Sequence, residues 1–332
     1  MLHVLNGDET RTVFERAGLP GEVMVWRDIL VEGPVDAGSD AVPALDARVA
    51  FLAERLAIDR DIYARGARAQ AEALDAASSH DEVALWFEQD LFCAVNLWRL
   101  LDWFARRAPA TRLSLVYPST DDLKGLGAAQ PPELAALFAG RTPVSEATRA
   151  LGARAWAAYA SADPFDSATL VDGDDTALPF VRVGFRCHLG RFPSVANGLN
   201  EVEAATLAVL RRGSREFPAL FREVTGHPRV RRHGMGDVQL AGAVRGLAPL
   251  LRIEERPGSA GALRASKGGL GGPFEAPHVI SITQLGRDVV SGDTDWLSVR
   301  PIDTWLGGVR LLAGRPLWRW DAARGRLVAS AA

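Results

Sequence analysis

The chain has 332 residues, 48% of them apolar, and a formal net charge of −3. That length exceeds a usual single domain and that composition excludes a disordered chain, so two folded domains are expected. The charge is uneven, with 12 arginines against 19 acids in residues 1–120 but 10 arginines against 7 acids in residues 201–256, which excludes a protein that coats nucleic acid along its whole length.

Residues 2–5 form a short β-type run, followed by Asn6-Gly7-Asp8 and a helical stretch from Thr10 to Ala17 that Gly18 ends. A second strand is expected over Glu22–Trp26, leading into Arg27-Asp28 and Glu32-Gly33-Pro34. Helices follow at about Val42–Leu56 and Ile62–Ala77; in the first, Leu45, Val49, Leu52 and Leu56 share one face. Val83–Phe87 is a third strand, Asp90 starts a helix with Leu91, Val95, Trp98 and Leu101 on one side, and Leu113–Tyr117 is a fourth strand. Strands separated by helices need crossover connections, so residues 1–125 are expected to form an α/β domain with a mostly parallel, flavodoxin- or Rossmann-like sheet. Residues 126–198 read as a helical linker, with helices at Pro131–Phe138, Val144–Tyr159 and Pro179–Leu189 and a loop over Ala162–Asp175. From Glu201 the pattern changes: helices at Glu201–Arg212, Glu216–Val224 and Asp237–Leu247, the last with Asp237 as its cap, precede strands at Leu250–Glu254 and His278–Thr283. Three short helices and then two strands is a winged-helix-like α+β order, so residues 199–332 are expected to be such a domain. The glycine-rich stretch 258–272 would be its wing, and Trp305, Trp318 and Trp320 would anchor a C-terminal β-hairpin.

Two cysteines, Cys93 and Cys187, are too few and too far apart for a disulfide framework or a metal knuckle. The opening Met1-Leu2-His3-Val4-Leu5 lacks the charged start of a signal peptide, and no apolar run reaches bilayer length. The expectation is therefore a soluble cytoplasmic protein with no membrane partner. Only Lys124 and Lys267 are lysines among 38 basic residues, which reads as codon bias.

The runs His3-Val4-Leu5-Asn6-Gly7-Asp8, Val25-Trp26-Arg27-Asp28, Glu32-Gly33-Pro34-Val35 and Leu85-Trp86-Phe87-Glu88-Gln89-Asp90-Leu91-Phe92 resemble the bacterial family called domain of unknown function 1835. Phe192-Pro193-Ser194, Asn197-Gly198-Leu199, Gly234-Met235-Gly236-Asp237 and Trp305-Leu306-Gly307-Gly308 resemble later parts of its long members. The resemblance covers most of the chain and implies the domain layout. It implies no activity.

Ligands of open parallel sheets sit beyond the carboxyl ends of the strands. That edge would gather Asn6, Asp8, Arg27, Asp28, Glu32, Glu88 and Asp90, with Ser119 and Thr120 after the fourth strand. Such a set could hold a divalent cation through oxygen ligands, with Arg27 on a phosphate or carboxylate, or bind a sugar or nucleoside. A structural reading stands beside it: Asp8 and Asp90 each precede a helix, where a carboxylate caps backbone N–H groups; Arg27 could pair with Asp28 or Glu32. Cys93 reads as a buried thiol and His3 as a hydrogen-bonded structural histidine. No dinucleotide, phosphate-loop, nucleophile-elbow or His-Glu-x-x-His motif occurs. In the second half, Arg229, Arg231 and Arg232 lie where a helix-turn-helix meets phosphates, and Gln239 and Arg245 are the only candidate base readers. The expected function is binding of a small polar or phosphorylated ligand by the α/β domain, coupled to a winged-helix-like interaction, output or homodimer surface. The alternative is a carboxylate- or metal-dependent hydrolase or transferase acting on a phosphorylated or glycosyl substrate.

Overall fold

The structure is a computed structural model that describes residues 1–37, 42–118, 125–255 and 278–330. Ser119, Thr120 and the glycine-rich stretch 258–272 lie outside the described residues. The first part of the chain runs β1 (Leu2–Leu5), α1 (Asp8–Ala17), β2 (Glu22–Val25), α2 (Val42–Leu56), α3 (Arg60–Ala76), β3 (Val83–Trp86), α4 (Leu91–Arg107), β4 (Leu113–Val116), α5 (Pro131–Ala139) and β5 (Thr142–Pro143). These strands form a five-stranded sheet in the order β2-β1-β3-β4-β5, parallel except for β5. The fold is mixed α/β. Leu5 pairs with both Val25 and Trp86, and Trp86 with Val116, so the four parallel strands end level and their loops open at one edge.

Side chains alternate across the sheet. Leu2, Val4, Val83 and Leu85 enter the larger core with α4, while Leu5, Ala84, Trp86 and Val116 meet Val13 and Phe14 of α1 and Leu134 of α5 on the other face. His3 belongs to this second face: its Nδ1 accepts from Trp86 Nε1 at 3.0 Å, so Nε2 carries the proton and donates to the Pro20 carbonyl at 3.0 Å. It is a structural histidine, and burial holds it below its ordinary pKa.

The stretch read as a linker is helical, with α6 (Glu146–Tyr159), α7 (Pro164–Thr169) within the expected loop, and α8 (Val181–Leu189). It is not a spacer, because α6 and α8 pack on α4 and complete the larger core. Trp98 stacks on Phe185 with ring centroids 4.7 Å apart, and a side chain at Gly152 would meet Leu101 at 2.5 Å.

A second core follows, built from α9 (Glu201–Arg211), β6 (Arg215–Glu216), α10 (Phe217–Thr225), α11 (Asp237–Gly246), β7 (Leu251–Glu255), β8 (His278–Ile282), α12 (Gln284–Ser291) and α13 (Trp296–Val299). The expected three helices and two strands are present, with β6 as an added edge strand in an antiparallel sheet ordered β6-β8-β7. Two residues are too short to show a strand period. Asp237 is the first residue of α11 and not its cap: the Gly236 N–H is taken by Gln239 Oε1 at 3.0 Å.

The tail forms two hairpins where one was expected, β9 (Asp303–Leu306) with β10 (Val309–Leu312) and β11 (Leu317–Asp321) with β12 (Arg326–Ser330). Leu306, Val309, Leu311, Trp320 and Leu327 return to the larger core, so the second core ends near Val299 and the tail belongs with the α/β body. The return is tight. Gly308 N donates to the Tyr159 carbonyl at 3.0 Å, and a Cβ on Gly308 would stand 2.1 Å from the Ala160 carbonyl oxygen. No helix of the described residues is long and apolar enough to cross a membrane.

Candidate functional site

The seven residues expected at the sheet edge separate into four groups. Asn6 follows β1, whose loop leads to α1 on one face; Glu88 and Asp90 follow β3, whose loop leads to α4 on the other. This is the switch point where open α/β sheets accept ligands, but protein groups already meet each other there. Asn6 Nδ2 donates to Glu88 Oε1 at 3.0 Å, the Leu126 N–H donates to the same oxygen at 2.8 Å, and Thr10 Oγ1 donates to Asn6 Oδ1 at 2.7 Å. Asp90 caps α4 by accepting the Cys93 N–H at 2.8 Å. Burial, then the neighbouring Glu88, pushes its carboxyl up to about 7. Gly234, at φ 63°, closes over it; a Cβ there would lie 2.1 Å from Asp90 Oδ1. Cys93 is buried, and burial together with Asp90 and Glu88 raises its thiol well above the ordinary range, which disfavours the thiolate.

Asp8 and Arg27 make a bidentate pair at the surface, with Nε to Oδ2 at 2.7 Å and Nη2 to Oδ1 at 2.6 Å. Asp8 therefore does not cap α1. Arg27 does not reach Asp28 or Glu32 either, because Asp28 turns inward. There it accepts Arg48 Nη2 at 2.9 Å and the Tyr63 hydroxyl. The buried Arg48 also donates to the Glu32 and Pro34 carbonyls at 3.0 and 3.1 Å, which ties the loop after β2 to α2.

Of the seven, Glu32 lines a cavity that lies between the two cores of the described residues. Its volume is about 450 Å³. The α/β body contributes Arg55 from the end of α2 and Arg191 from just beyond α8; the second core contributes Arg245 of α11 and Arg300 after α13. Glu32 accepts Arg191 Nη2 at 2.9 Å and Gln239 Nε2 at 3.4 Å. Arg55 donates one N–H to the Asp303 carbonyl and Arg300 one to the Gly246 carbonyl. Trp296, Met235 and Leu306 supply apolar wall, and Glu54, Glu203 and Asp303 the remaining carboxylates. Burial raises the Glu203 carboxyl to about 7 and lowers Arg245. A second cavity, of about 780 Å³, adjoins the first through Phe51, Glu54, Arg55 and Asp303 and is walled by Trp305, with the Arg310 guanidinium 5.7 Å from its ring.

The expected base readers do not face outward. Helix α11 lies on α2 so closely that a Cβ at Gly242 would be 2.6 Å from Leu56 Cδ2 and 2.9 Å from the Arg55 carbonyl oxygen. Val238 packs on the larger core, Gln239 is buried against Glu32, and Arg245 lines the cleft. In this arrangement α11 packs against its own chain along the side that carries Gln239 and Arg245. Arg229 and Arg231 are exposed and Arg232 is half-buried. Among the described residues, no group of three or more His, Cys, Asp or Glu side chains is placed to hold a metal ion.

The residues that sequence reasoning missed are Arg55, Arg191, Glu203 and Arg300. They come from four distant segments, and none stands in a motif. The one local signal, Asn200 three residues before Glu203, marks a capping box: Glu203 N donates to Asn200 Oδ1 and Asn200 N to Glu203 Oε2, both at 2.9 Å. Comparison of the chain with protein-family models and with curated proteins finds no match.

Proposed function

We propose that the chain binds a small polar or phosphorylated ligand in the cleft between the α/β body and the second core, and that the second core, winged-helix-like in its order of elements, is an interaction module coupled to that site. One observation carries this reading: a cavity of about 450 Å³ whose guanidiniums come from both cores, Arg55 and Arg191 on one side, Arg245 and Arg300 on the other. Ligand sites favour such interfaces, with apolar walls and a few convergent polar groups. A ligand held from both sides would favour the docked arrangement of α11 on α2. The sheet-edge carboxylates support a binding or structural role more than the hydrolase or transferase alternative, since each already meets a protein donor. Phosphate contacts by Arg229, Arg231 and Arg232 would be independent of base sequence with α11 docked.

The test is a thermal-shift screen with nucleotides, sugar phosphates and carboxylic acids, using the wild type, Arg300→Gln and Asp8→Asn. A ligand at about 100 times its Kd stabilises by roughly 2.7 kcal/mol. The expected result is a shift lost in Arg300→Gln and kept in Asp8→Asn. The reverse pattern would return the site to the sheet edge, and no shift with any compound would overturn the reading.

A further inference from the structure

Glu203 stands on the first turn of α9 in the wall of the cleft. Its Oε2 is held by the Asn200 N–H at 2.9 Å, and Oε1 accepts no hydrogen bond among the described residues. Arg300 and Arg55 are the charges that act on it. The other charged groups on the cleft wall are Glu54 from α2, Arg245 from α11, Asp303 from β9 and the mutually bonded pair of Glu32 and Arg191.

Each of Arg55 and Arg300 engages one backbone carbonyl and has five N–H donors in a planar fork, so each retains donors for a planar or tetrahedral oxyanion. A carboxylate ligand offers one charge and two oxygens, which a single fork satisfies. A phosphate monoester offers up to two charges and three terminal oxygens, which two guanidiniums and one further donor match. Of the carboxyls in the same wall, Glu32 pairs with Arg191, Asp303 pairs with Arg310 and Glu54 is exposed, which leaves Glu203. Ionised, it would repel the phosphate; neutral, its O–H would donate to a phosphate oxygen.

We propose that the cleft binds a phosphate monoester as its dianion between Arg55 and Arg300, and that Glu203 takes one proton from solvent as the ligand enters and donates it in a hydrogen bond to the phosphate. The proposal rests on the cleft reading above and deepens it. Burial has already brought the Glu203 carboxyl close to neutrality, so the proton is available near pH 7 and its uptake becomes limiting only at higher pH.

Calorimetry of the full chain with ribose 5-phosphate between pH 7.5 and 9, in buffers of different ionisation heat, tests this. The phosphate is already a dianion across that range, so any loss of affinity reports a group on the protein. The expected result is uptake approaching one proton per ligand and a fall in affinity approaching tenfold per pH unit. Glu203→Gln, whose amide also donates, should bind with no proton uptake and an affinity constant within about threefold across the range, while Arg300→Gln should lose binding. Binding by the wild type with a flat pH profile overturns the role of Glu203 and leaves the cleft reading standing. Binding of ribose 5-phosphate that survives in Arg300→Gln overturns the location. Absence of binding by ribose 5-phosphate and by inorganic phosphate, with a shift in the thermal screen from a carboxylic acid and from no phosphorylated compound, overturns the phosphate class alone. If Glu203→Gln fails to fold, a flat wild-type slope still overturns the role of Glu203.

Discussion

The carboxyl edge of the sheet and the cleft between the cores are made from the same residue types and end differently. At the edge, Asp8 meets Arg27, Asp28 meets Arg48 and Tyr63, Glu88 meets Asn6 and a backbone N–H, and Asp90 caps its own helix. In the cleft, guanidiniums from two cores face a cavity with one carbonyl contact each for Arg55 and Arg300. The edge charges belong to loops and helices of the α/β body and bond to one another there. The cleft charges come from two cores, and space is left between them. Charge that is locally satisfied holds a fold; charge brought together by docking is where a ligand can still enter.

The largest expected effect breaks the edge side of that comparison. Asp28→Ala leaves Arg48 buried without its carboxylate, and losing one partner of a buried pair costs about 3–5 kcal/mol. Urea denaturation should show that loss, and a double variant with Arg48→Met should recover much of it. Ligand-induced stabilisation should persist in the double variant. An Asp28→Ala protein as stable as the wild type would show that the edge is not structural.

Next in size is the docking contact. Gly242→Ala places a methyl 2.9 Å from the Arg55 carbonyl oxygen, so α11 must move off α2. Overpacking of this kind costs about 1–3 kcal/mol. Both stability and affinity in the cleft should fall together, because Arg55 and Arg245 stand on the two helices that separate. Affinity unchanged in this variant would place the site elsewhere.

These two cases mark how far the residues alone could be read. The parallel strands were legible because each is a short apolar run closed by polar turn residues, and the first turn of α4 because Asp90 precedes an apolar periodic face. Gly242 reads in sequence as a weak point of a helix; only the docked partner explains it. The packing of α6 and α8 on α4 was hidden for a related reason: Leu151, Ala155 and Trp156 announce a buried face but not what buries it. Glu32 was named for the wrong neighbours, since its partners Arg191 and Gln239 lie more than 150 residues away. Site residues whose meaning is set by distant partners leave no local spacing to find.

A smaller effect concerns pH. His188 is fully buried beside Tyr159, with ring centroids 4.7 Å apart, and neither ring nitrogen is hydrogen-bonded among the described residues. Burial lowers its pKa to about 3 from 6.5. The unfolded chain therefore binds the proton first as pH falls, so the stability tied to neutral His188 is complete above pH 6.5 and is lost progressively from 6.5 toward 3. His188→Leu should remove that part of the acid limb and raise stability at pH 7 by about 1 kcal/mol, since an unsatisfied buried polar group is replaced by an apolar one. Glu203 and Asp90 act in the opposite sense, because a carboxyl raised to about 7 favours the folded state most at low pH and less as pH rises to 7. Thermal melts of His188→Leu and Glu203→Gln from pH 4 to 8 should separate the two limbs.

The smallest effect sharpens the comparison most. Asp8 and Arg27 have the best ion-pair geometry at the sheet edge, yet their side chains are 60% and 43% exposed. A surface pair of that exposure contributes about 0.2–1 kcal/mol and less in high salt. Arg27 holds the Asp8 carboxyl below its ordinary range, so the contribution is present above the unfolded pKa and disappears as pH falls through the folded one. Asp8→Asn should therefore change stability by less than 1 kcal/mol, lose even that difference at high ionic strength, and leave ligand-induced stabilisation intact. If Asp8→Asn instead abolishes the ligand shift while barely moving the unligated melt, the pair is a latch that a ligand opens, and the edge rather than the cleft is the site.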